Sequence, residues 1–344
     1  LPTIIIADAE NTKRVNVELG YFSKNFIIIN NGVDLSIFQP DKVARQRLRQ
    51  ELQIQEDVVL LGFIARWDPL KDHSNLLQAL SIVKGNNRKF VCVLVGSEMT
   101  SQNATLMELI NKNELDDHII LAGSRSDIPE IMNALDLHVL SSNSESMPLA
   151  IIEAMACGTP CVVTDVGDAA LVVGDTGWVV PPKEPKALAA GIESAIAALE
   201  KKGKDELGQR CRKVVEEKYS LEVMVDSYIK LWEETLADLE SKATRNTVKV
   251  LHIIIGLNVG GAEMMLKRLV TKHISGFRSS HIVVSLSGVG VVGQQLREQG
   301  IEVVALGLKP FGLKAILQLP IIFFRLVKLI RYQRPDIVQT WMYH

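Results

Sequence analysis

Residues 135–164, which read LDLHVLSSNSESMPLAIIEAMACGTPCVVT, decide the fold class of this chain. Two β-rich apolar runs, LDLHVLSS (135–142) and PCVVT (160–164), flank a helical stretch at 148–157. A strand, a helix and a second strand in this order predict a parallel sheet, because parallel neighbours need a crossover connection. The strands are apolar along most of their length, which predicts that helices cover both faces of the sheet.

The same alternation of apolar runs and amphipathic segments continues on both sides of this stretch. The further predicted strands are VVLLGFIA (58–65), FVCVLVG (90–96), HIILAG (118–123) and GWVVP (177–181), and the further predicted helices are 72–84, 101–113, 127–134 and 185–199. Such a series is long enough for one doubly wound domain with a parallel sheet.

A second series follows charged helical sequence at 204–245 and a polar linker, SKATRNT (241–247). Its predicted strands are VKVLHIIIG (248–256), SSHIVVSLS (279–287), IEVVALG (301–307) and DIVQTW (336–341), with predicted helices at 261–273, 291–299 and 313–332. The sequence therefore predicts an α/β chain with two parallel sheets.

The first residues carry this pattern as well, with a strand IIIA (4–7), a helix at 9–19 and a strand FIIIN (26–30). Because the sequence begins and stops within an alternating series, we expect its two ends to be halves of one domain. This expectation joins residues 1–33 to residues 247–344.

Composition excludes several classes of protein. Of the 344 residues, 47% are hydrophobic, which is enough for two apolar cores and excludes a disordered chain. A formal net charge of −2 argues against nucleic acid as the main partner, because neutralising phosphates needs a basic excess. The four cysteines form no CxxC pair, and the histidines show no metal-ligand spacing. We expect reduced thiols in an intracellular compartment, no metal site, no membrane span and no signal peptide.

Two carboxylates eight positions apart, Glu145 and Glu153, give the strongest chemical signal. Pro148 suits the first turn of a helix, which places Glu145 in the preceding loop and Glu153 in the second turn. The N–H groups from Ser146 to Ala150 would then form a helix terminus that can bind an anion or a hydroxyl group. The alternative is an ordinary solvated loop glutamate followed by an ordinary helical one.

A second signal is GFIARWDPLK (62–71), which places Arg66 and Lys71 directly after a strand. Cations at the carboxyl end of a parallel strand lie where α/β folds bind ligands. The bidentate fork of arginine and the point charge of lysine together fit a diphosphate. Unrelated surface cations are the alternative.

Two glycine- and asparagine-rich segments also follow strands. Gly260 and Gly261, in GLNVGGAE (256–263), let the backbone approach a ligand or form a plain strand–helix turn. NNGVD (30–34) is typical of a turn or a domain hinge.

Two further features allow a functional and a plain interpretation. Gly123 and Arg125, in GSRSD (123–127), could face a nucleotide base or cap the next helix. The helix at 313–332 carries a basic face that could contact an anionic membrane surface or could simply face solvent.

Together these motifs resemble the retaining glycosyltransferases of family 4, which have the GT-B architecture of two Rossmann-like doubly wound domains facing each other across a cleft. The matching segments are NNGVD (30–34), ARWDPLKD (65–72), VLVGS (93–97), AGSRSDIPEIMNALDLHVLSS (122–142), ESMPLAIIEAMACGTPCVVTDVGD (145–168), DTGWVVPP (175–182), HIIIGLNVGGAE (252–263) and RPDIVQTWMYH (334–344). The resemblance covers nearly the whole chain.

The resemblance implies a hexosyltransferase that moves a sugar, with retention of configuration, from a nucleotide-diphosphate sugar, with UDP as the expected nucleotide. The acceptor implied is a glycan or lipid-linked saccharide of an envelope polysaccharide. Arg66 and Lys71 would hold the diphosphate and Glu145 would contact the donor sugar, which makes these three the implied catalytic residues. The other donor-binding residues implied are Gly123, Arg125, Ser146, Met147, Pro148, Leu149, Glu153, Gly260 and Gly261.

No metal or other cofactor is implied, because the two cations supply the electrostatic stabilisation that Mg²⁺ supplies elsewhere. The implied location is the cytoplasm, with a weak peripheral contact at the inner face of the membrane.

In the family, the segment that matches 252–263 opens the chain, so the resemblance implies a circularly permuted order. Residues 34–225 would form the donor-binding domain, residues 1–33 and 247–344 an incomplete acceptor-side domain, and residues 226–246 a crossing helix and linker. The family's further βα units, with a histidine that faces the donor sugar, have no counterpart here. A catalytically incomplete nucleotide-sugar-binding protein is therefore the alternative function, and a GT-B epimerase is a weaker one.

Overall fold

The computed structural model describes residues 4–20, 24, 26–237, 247–258, 260–272, 279–309 and 313–341. The chain divides into two compact units, Leu1–Met224 and Val225–His344. Helices alternate with parallel strands in both units. This confirms the predicted α/β class with two Rossmann-like parallel sheets.

The first unit contains a small and a large parallel sheet. The small one pairs β1 (Ile5–Ala7) with β2 (Phe26–Ile28), and α1 (Glu10–Glu18) connects the two strands. The strands of the large one are β3 (Val59–Ile64), β4 (Phe90–Val95), β5 (Ile119–Gly123), β6 (Leu137–Leu140), β7 (Cys161–Thr164) and β8 (Trp178–Val180). Their order is β5-β4-β3-β6-β7-β8.

Helices cover both faces of the large sheet, as the apolar strands predict. They are α2 (Lys42–Glu51), α3 (His73–Gly85), α4 (Ala104–Lys112), α5 (Ile128–Ala134), α6 (Leu149–Ala156), α7 (Ala169–Val173), α8 (Pro185–Lys202) and α9 (Lys204–Lys218). Successive strand residues point to opposite faces. Leu60 belongs to a core cluster that includes residues of α2, α5, α6, α7 and α9, whereas Leu61 belongs to one that includes residues of α3, α4 and α8.

The order of the large sheet reverses between β3 and β6. The chain runs outward from β3 through β4 to β5, and then returns to the other side of β3 with β6. Crevices outside the carboxyl ends of strands at such a switch point are where α/β sheets bind ligands. The loops that follow β3 and β6 therefore hold the expected site.

The second unit is a four-stranded parallel sheet with its own core. After α10 (Leu221–Ala237), its strands are β9 (Val248–Ile254), β10 (Ser279–Ser285), β11 (Glu302–Ala305) and β12 (Ile337–Trp341), in the order β11-β10-β9-β12. The helices that follow β9, β10 and β11 are α11 (Gly261–Thr271), α12 (Gly290–Glu298) and α13 (Leu313–Gln333). Among the helices described, none is long and apolar enough to cross a membrane.

The predicted domain boundaries differ from the unit boundary. Residues 1–33 fall in the first unit together with residues 34–224, and the division lies between Met224 and Val225, inside α10. Within the described residues, β1 and β2 pair with each other and with neither larger sheet. The grouping of residues 1–33 with 247–344 stays a prediction, and the linker predicted at 241–247 lies outside the described residues except for Thr247.

Two helices of the first unit were not predicted. The sequence of α2, KVARQRLRQE, is too charged for a clear apolar face, and it is fixed by Asp41, which accepts hydrogen bonds from the amides of Val43 and Ala44. The other, α7, has five residues, which is too short for a helical period to be recognised.

Candidate active site

Lys71 and Glu145, two of the three implied catalytic residues, are in direct contact. Lys71 ends a short 3₁₀ turn after β3, and Glu145 lies in the loop between β6 and α6. Lys71 Nζ is 2.5 Å from Glu145 Oε1, and the hydroxyl of Ser142 donates to the same oxygen at 2.6 Å. Their side chains are only 21% and 11% exposed. The switch point of the sheet therefore carries a partly buried ion pair.

Hydrogen bonds between the two loops hold this pair in place. Ser141 Oγ donates to the carbonyl oxygens of Lys71 and Asp72, at 2.9 and 3.0 Å. The amide of Asn143 donates to the carbonyl of Leu70 at 2.8 Å. The path of each loop is thus fixed by the other, so the positions of the ammonium and the carboxylate are coupled.

Arg66 is the exposed cation of the site. It follows β3, its side chain is 66% exposed, and Nε and Nη2 donate to Asp68 Oδ2 at 3.0 and 2.8 Å. The amide of Leu70 donates to the other oxygen of Asp68. This amide, followed by Arg66, holds the pKa of Asp68 below its usual value. Asp68 therefore orients the arginine and starts the turn that carries Lys71.

Helix α6 begins at Leu149, one residue later than predicted. Pro148 is its N-cap and has no side chain that can accept a hydrogen bond, so the amides of the first turn donate to no capping side chain. Glu153 lies in the second turn and is partly exposed. Glu153 therefore lies in the second turn of the helix, as the sequence predicts.

Ser146 and Met147 form hydrogen bonds with residues near the start of the chain. Ser146 Oγ lies 2.6 Å from Thr12 Oγ1 and 3.0 Å from Asp8 Oδ1. The sulfur of Met147 accepts from the amide of Asn31 at 3.3 Å. Sequence reasoning did not select Asp8 or Thr12, although Asp8 is a polar residue directly after a strand, which was the available signal.

Gly167 and Asp168 contact the backbone of the loop that carries Glu145 and Ser146. Gly167 has φ +56°, and a Cβ there would come within 2.4 Å of the carbonyl oxygens of Glu145 and Ser146. The amide of Asp168 donates to the Ser146 carbonyl at 2.9 Å. Only glycine fits this close approach, so the backbone of Glu145 depends on position 167.

The remaining predicted residues of the first unit lie at the end of β5. Gly123 ends the strand with φ +62°. The Arg125 guanidinium donates to both oxygens of Asp127 and to Glu51. The hydrogen bonds to Asp127, followed by the one to Glu51, raise the pKa of Arg125. These ion pairs tie β5 to α2 and the start of α5. Donor binding by Arg125 stays a prediction.

Gly260 and Gly261 lie in the second unit. Gly260 is the N-cap of α11, and a Cβ on it would meet the carboxylate of Glu263. Their proposed role in donor binding stays a prediction.

The four cysteines lie in the two apolar cores of the first unit. All four cysteines are free and buried, and burial raises the pKa of Cys157 to about 12 and that of Cys211 to about 11. No group of three or more His, Cys, Asp or Glu side chains that could hold a metal ion occurs in the described part of the chain.

Comparison with known proteins shows the family that part of this chain resembles. Residues 44–214 match the sequence model of the group 1 glycosyl transferases. Over 224 residues the chain is 30% identical to N-acetyl-alpha-D-glucosaminyl L-malate synthase of Bacillus anthracis, covering 63% of this chain and 55% of that protein. Over 231 residues it is 29% identical to a D-inositol 3-phosphate glycosyltransferase of Saccharomonospora viridis, covering 62% and 51%. The match thus spans about half the length of these relatives.

Solved structures show the same fold. A glycosyltransferase from Rickettsia africae superposes with a TM-score of 0.63 at 24% identity, covering 68% of this chain and 64% of that one. The HepE protein of Anabaena, in complex with UDP-glucose, superposes with a TM-score of 0.61 at 23% identity, covering 69% and 64%.

Residues 44–214 are thus similar to the group 1 glycosyl transferases, and the solved structures share the GT-B fold. The matched residues contain Arg66, Lys71, Glu145 and Glu153.

Proposed function

We propose that the protein is a retaining glycosyltransferase of family 4 that transfers a hexose from a UDP-sugar to a glycan or lipid-linked saccharide in envelope polysaccharide synthesis. The observation that carries this proposal is the contact between Lys71 and Glu145 at the switch point of the sheet, with Arg66 beside it. The activity and the acceptor are inferred from the family.

The two cations are suited to a diphosphate. Lys71 has three N–H donors and uses one for Glu145, so two remain for phosphate oxygens. Arg66 is exposed and can turn its planar fork to a second phosphate. Together they would neutralise the charge that builds up on the leaving nucleotide as the glycosidic bond breaks. We therefore propose that transfer needs no metal ion.

Glu145 is suited to the sugar. Both of its hydrogen bonds, from Lys71 and Ser142, reach Oε1, which leaves Oε2 for the donor. A carboxylate oxygen beside the anomeric centre would stabilise an oxocarbenium-like transition state. Glu153 in α6 would bind the ribose hydroxyls, and the N-terminal amides of α6 would bind sugar and phosphate.

The choice of UDP is supported by the fold neighbours. The structures of the Anabaena protein contain UDP, UDP with glucose, or UDP-glucose. The test is calorimetric titration with UDP, GDP and ADP, followed by titration with UDP-sugars while donor hydrolysis is measured. Tight binding of UDP with slow hydrolysis supports a transferase. Binding without turnover supports the alternative, a catalytically incomplete nucleotide-sugar-binding protein, and absence of binding contradicts both.

We also propose that residues 1–33 and 247–344 form one acceptor-side domain in circularly permuted order. The order of the motifs along the chain supports this idea. A chain rearranged so that residues 247–344 precede residues 1–246 tests it. Equal UDP affinity and equal donor hydrolysis are expected, and a rearranged chain that folds but does not bind UDP would contradict the proposal.

A cytoplasmic location with peripheral contact at the membrane is the last part of the proposal, and α13 supports it. The helix contains no Asp or Glu. Ile322 packs in the core, whereas Phe324, on the opposite side of the helix, and Tyr332 are 71% and 81% exposed. Arg325 and Lys328 border them, and neither forms an ion pair within the described residues. Exposed aromatic rings beside unpaired cations are typical of a helix that lies on an anionic bilayer.

Sedimentation with lipid vesicles tests this contact. We expect the protein to sediment with vesicles of equal parts phosphatidylcholine and phosphatidylglycerol, and not with phosphatidylcholine alone. Lys328→Glu should lower the bound fraction, because each basic residue near such a surface contributes about 1 kcal/mol. Lys213→Glu, on the exposed side of α9, is the matched control and should bind like the wild type. Equal binding by both variants would contradict a role for α13.

A further inference from the structure

Three side chains form a closed triangle next to Glu145. Thr12 Oγ1 is 2.9 Å from Asp8 Oδ1, Ser146 Oγ is 3.0 Å from the same oxygen, and the two hydroxyl oxygens are 2.6 Å apart. Two hydroxyl protons serve three short contacts, so one hydroxyl donates to the other, which then donates to the carboxylate. The triangle joins α1 and the end of β1 to a loop 134 residues further along the chain.

A second set of hydrogen bonds fixes α1 to the same loop. The carboxylate of Asp168 is 4% exposed and accepts from the amides of Glu10 and Asn11, at 2.7 and 2.9 Å. The amide of Asp168 in turn donates to the Ser146 carbonyl. The N-terminus of α1 is thus capped by a side chain from the loop region, and α1 cannot shift without moving the backbone at Ser146.

A third contact comes from the end of β2. The side-chain amide of Asn30 donates to the carbonyl of Asp8 at 2.9 Å, and the amide of Asn31 donates to the sulfur of Met147. Three sets of hydrogen bonds therefore connect residues 8–31 to the loop region between Glu145 and α6. None of these residues lies within the family match at 44–214.

We propose that Asp8 and Thr12 are positioning residues of the donor site, which act by fixing the Ser146 hydroxyl and thereby the backbone that carries Glu145. The proposal rests on the proposed function, because it assigns these residues to the donor-sugar end of that site. Ser146 directly follows Glu145 and lies two residues before Pro148, the N-cap of α6. A shift of its backbone moves the carboxylate of Glu145, the residue directly before it.

The proposal predicts a division between turnover and nucleotide binding. The diphosphate would be held by Arg66 and Lys71, which the triangle does not touch, whereas Glu145 sits beside it. Loss of the triangle should therefore lower kcat for donor hydrolysis and leave UDP affinity nearly unchanged. A misplacement of about 1 Å at a catalytic group can cost roughly 100-fold in rate.

The test uses the full chain with Asp8→Ala and Thr12→Val combined, which leaves the Ser146 hydroxyl without either partner. We expect kcat for UDP-sugar hydrolysis to fall by about 10- to 100-fold and the Kd of UDP to change by less than about threefold. Thr12→Ser retains the hydroxyl and should restore most of the rate lost in Thr12→Val. Ser194→Ala, which removes a hydroxyl from the exposed face of α8, is the control for loss of a hydroxyl and should match the wild type.

Amide hydrogen exchange supplies a readout that does not depend on activity. In the double variant, the segment 142–149 should exchange faster than in the wild type, and segments in β3 and β4 should not. A wild-type chain that shows neither UDP binding nor hydrolysis refutes the proposed function, whereas unchanged exchange and unchanged kcat in a folded double variant refute the positioning role. A fall in kcat that Thr12→Ser does not reverse also contradicts it.

Discussion

Lys71 Nζ and Glu145 Oε1 lie 2.5 Å apart although 74 residues separate them in the chain. Each residue follows one of two adjacent strands, β3 and β6, at the point where the strand order reverses. The pair joins a cation suited to phosphate with a carboxylate suited to a sugar. In the proposed reaction, the leaving group and the reacting sugar would meet at this pair.

Removal of either cation should weaken binding of the diphosphate and spare the nucleoside. For Lys71→Ala and Arg66→Ala we expect UDP to bind about 5- to 150-fold more weakly, the range of about 1–3 kcal/mol for charge-assisted hydrogen bonds. Uridine affinity should not change. Calorimetric titration of each variant with both ligands measures the difference. Arg88→Ala, which breaks a surface ion pair with Glu200, is the control, and equal losses for UDP and uridine would refute the assignment.

Glu145→Gln keeps the shape of the side chain and removes its charge. Because the carboxylate would act on charge that develops in the transition state, we expect kcat for donor hydrolysis to fall roughly 100-fold or more, with UDP affinity within about threefold of the wild type. Steady-state kinetics and titration measure the two effects. Glu114→Gln, at an exposed position of the first unit, should behave like the wild type. Wild-type turnover in Glu145→Gln would remove this residue from the catalytic set.

Gly167→Ala should disturb the site more than the same substitution at another glycine that has a positive φ. Its Cβ would lie 2.4 Å from two carbonyl oxygens of the Glu145 loop, so we expect a loss of about 3 kcal/mol or more in the free energy of unfolding, together with reduced turnover. Gly158→Ala has φ +73° with ordinary contacts at 3.6 Å and should cost about 1 kcal/mol. Urea unfolding of both variants tests this, and equal losses would show that only backbone strain matters.

Because His138 is buried, we expect the protein to lose stability as the pH falls below neutral. It is 1% exposed on β6, neither ring nitrogen has a hydrogen-bond partner, and burial lowers its pKa to about 4. The unfolded histidine gains a proton as the pH falls through 6.5, whereas the folded one stays neutral until about pH 4. The free energy of unfolding therefore falls as the pH drops from 6.5 to about 4. The loss is up to about 3 kcal/mol, at 1.36 kcal/mol per pKa unit.

His138→Leu should flatten that dependence. Leucine has a similar volume and no proton to gain, so the variant should lose less stability than the wild type between pH 6.5 and 4. Urea unfolding at a series of pH values measures the difference. Above pH 7 the gap between the two proteins should not vary with pH, which is the internal control. Parallel curves over the whole range would contradict a neutral buried His138.

The sequence predicted the parallel sheets because apolar strands and crossover helices follow from local composition. It also placed Arg66, Lys71 and Glu145 at strand ends, where the structure has them. The short apolar-poor helix α2 was missed because a charged helix has no apolar period to recognise, and its start depends on a cap from Asp41. The apolar periodicity of the sequence thus identifies helices and strands that bury an apolar face. It does not identify elements whose position depends on a single polar contact.

What the sequence by itself determined is the α/β class and the residue types at the strand ends, because these depend on patterns within about 30 residues. Only the tertiary structure decided which of those residues touch. It joined Lys71 to Glu145, tied Arg125 to Asp127 and Glu51, and brought Asp8 and Thr12 to Ser146. These contacts depend on the order in which strands are placed in the sheet, and that order is set by packing of the whole unit rather than by any local segment.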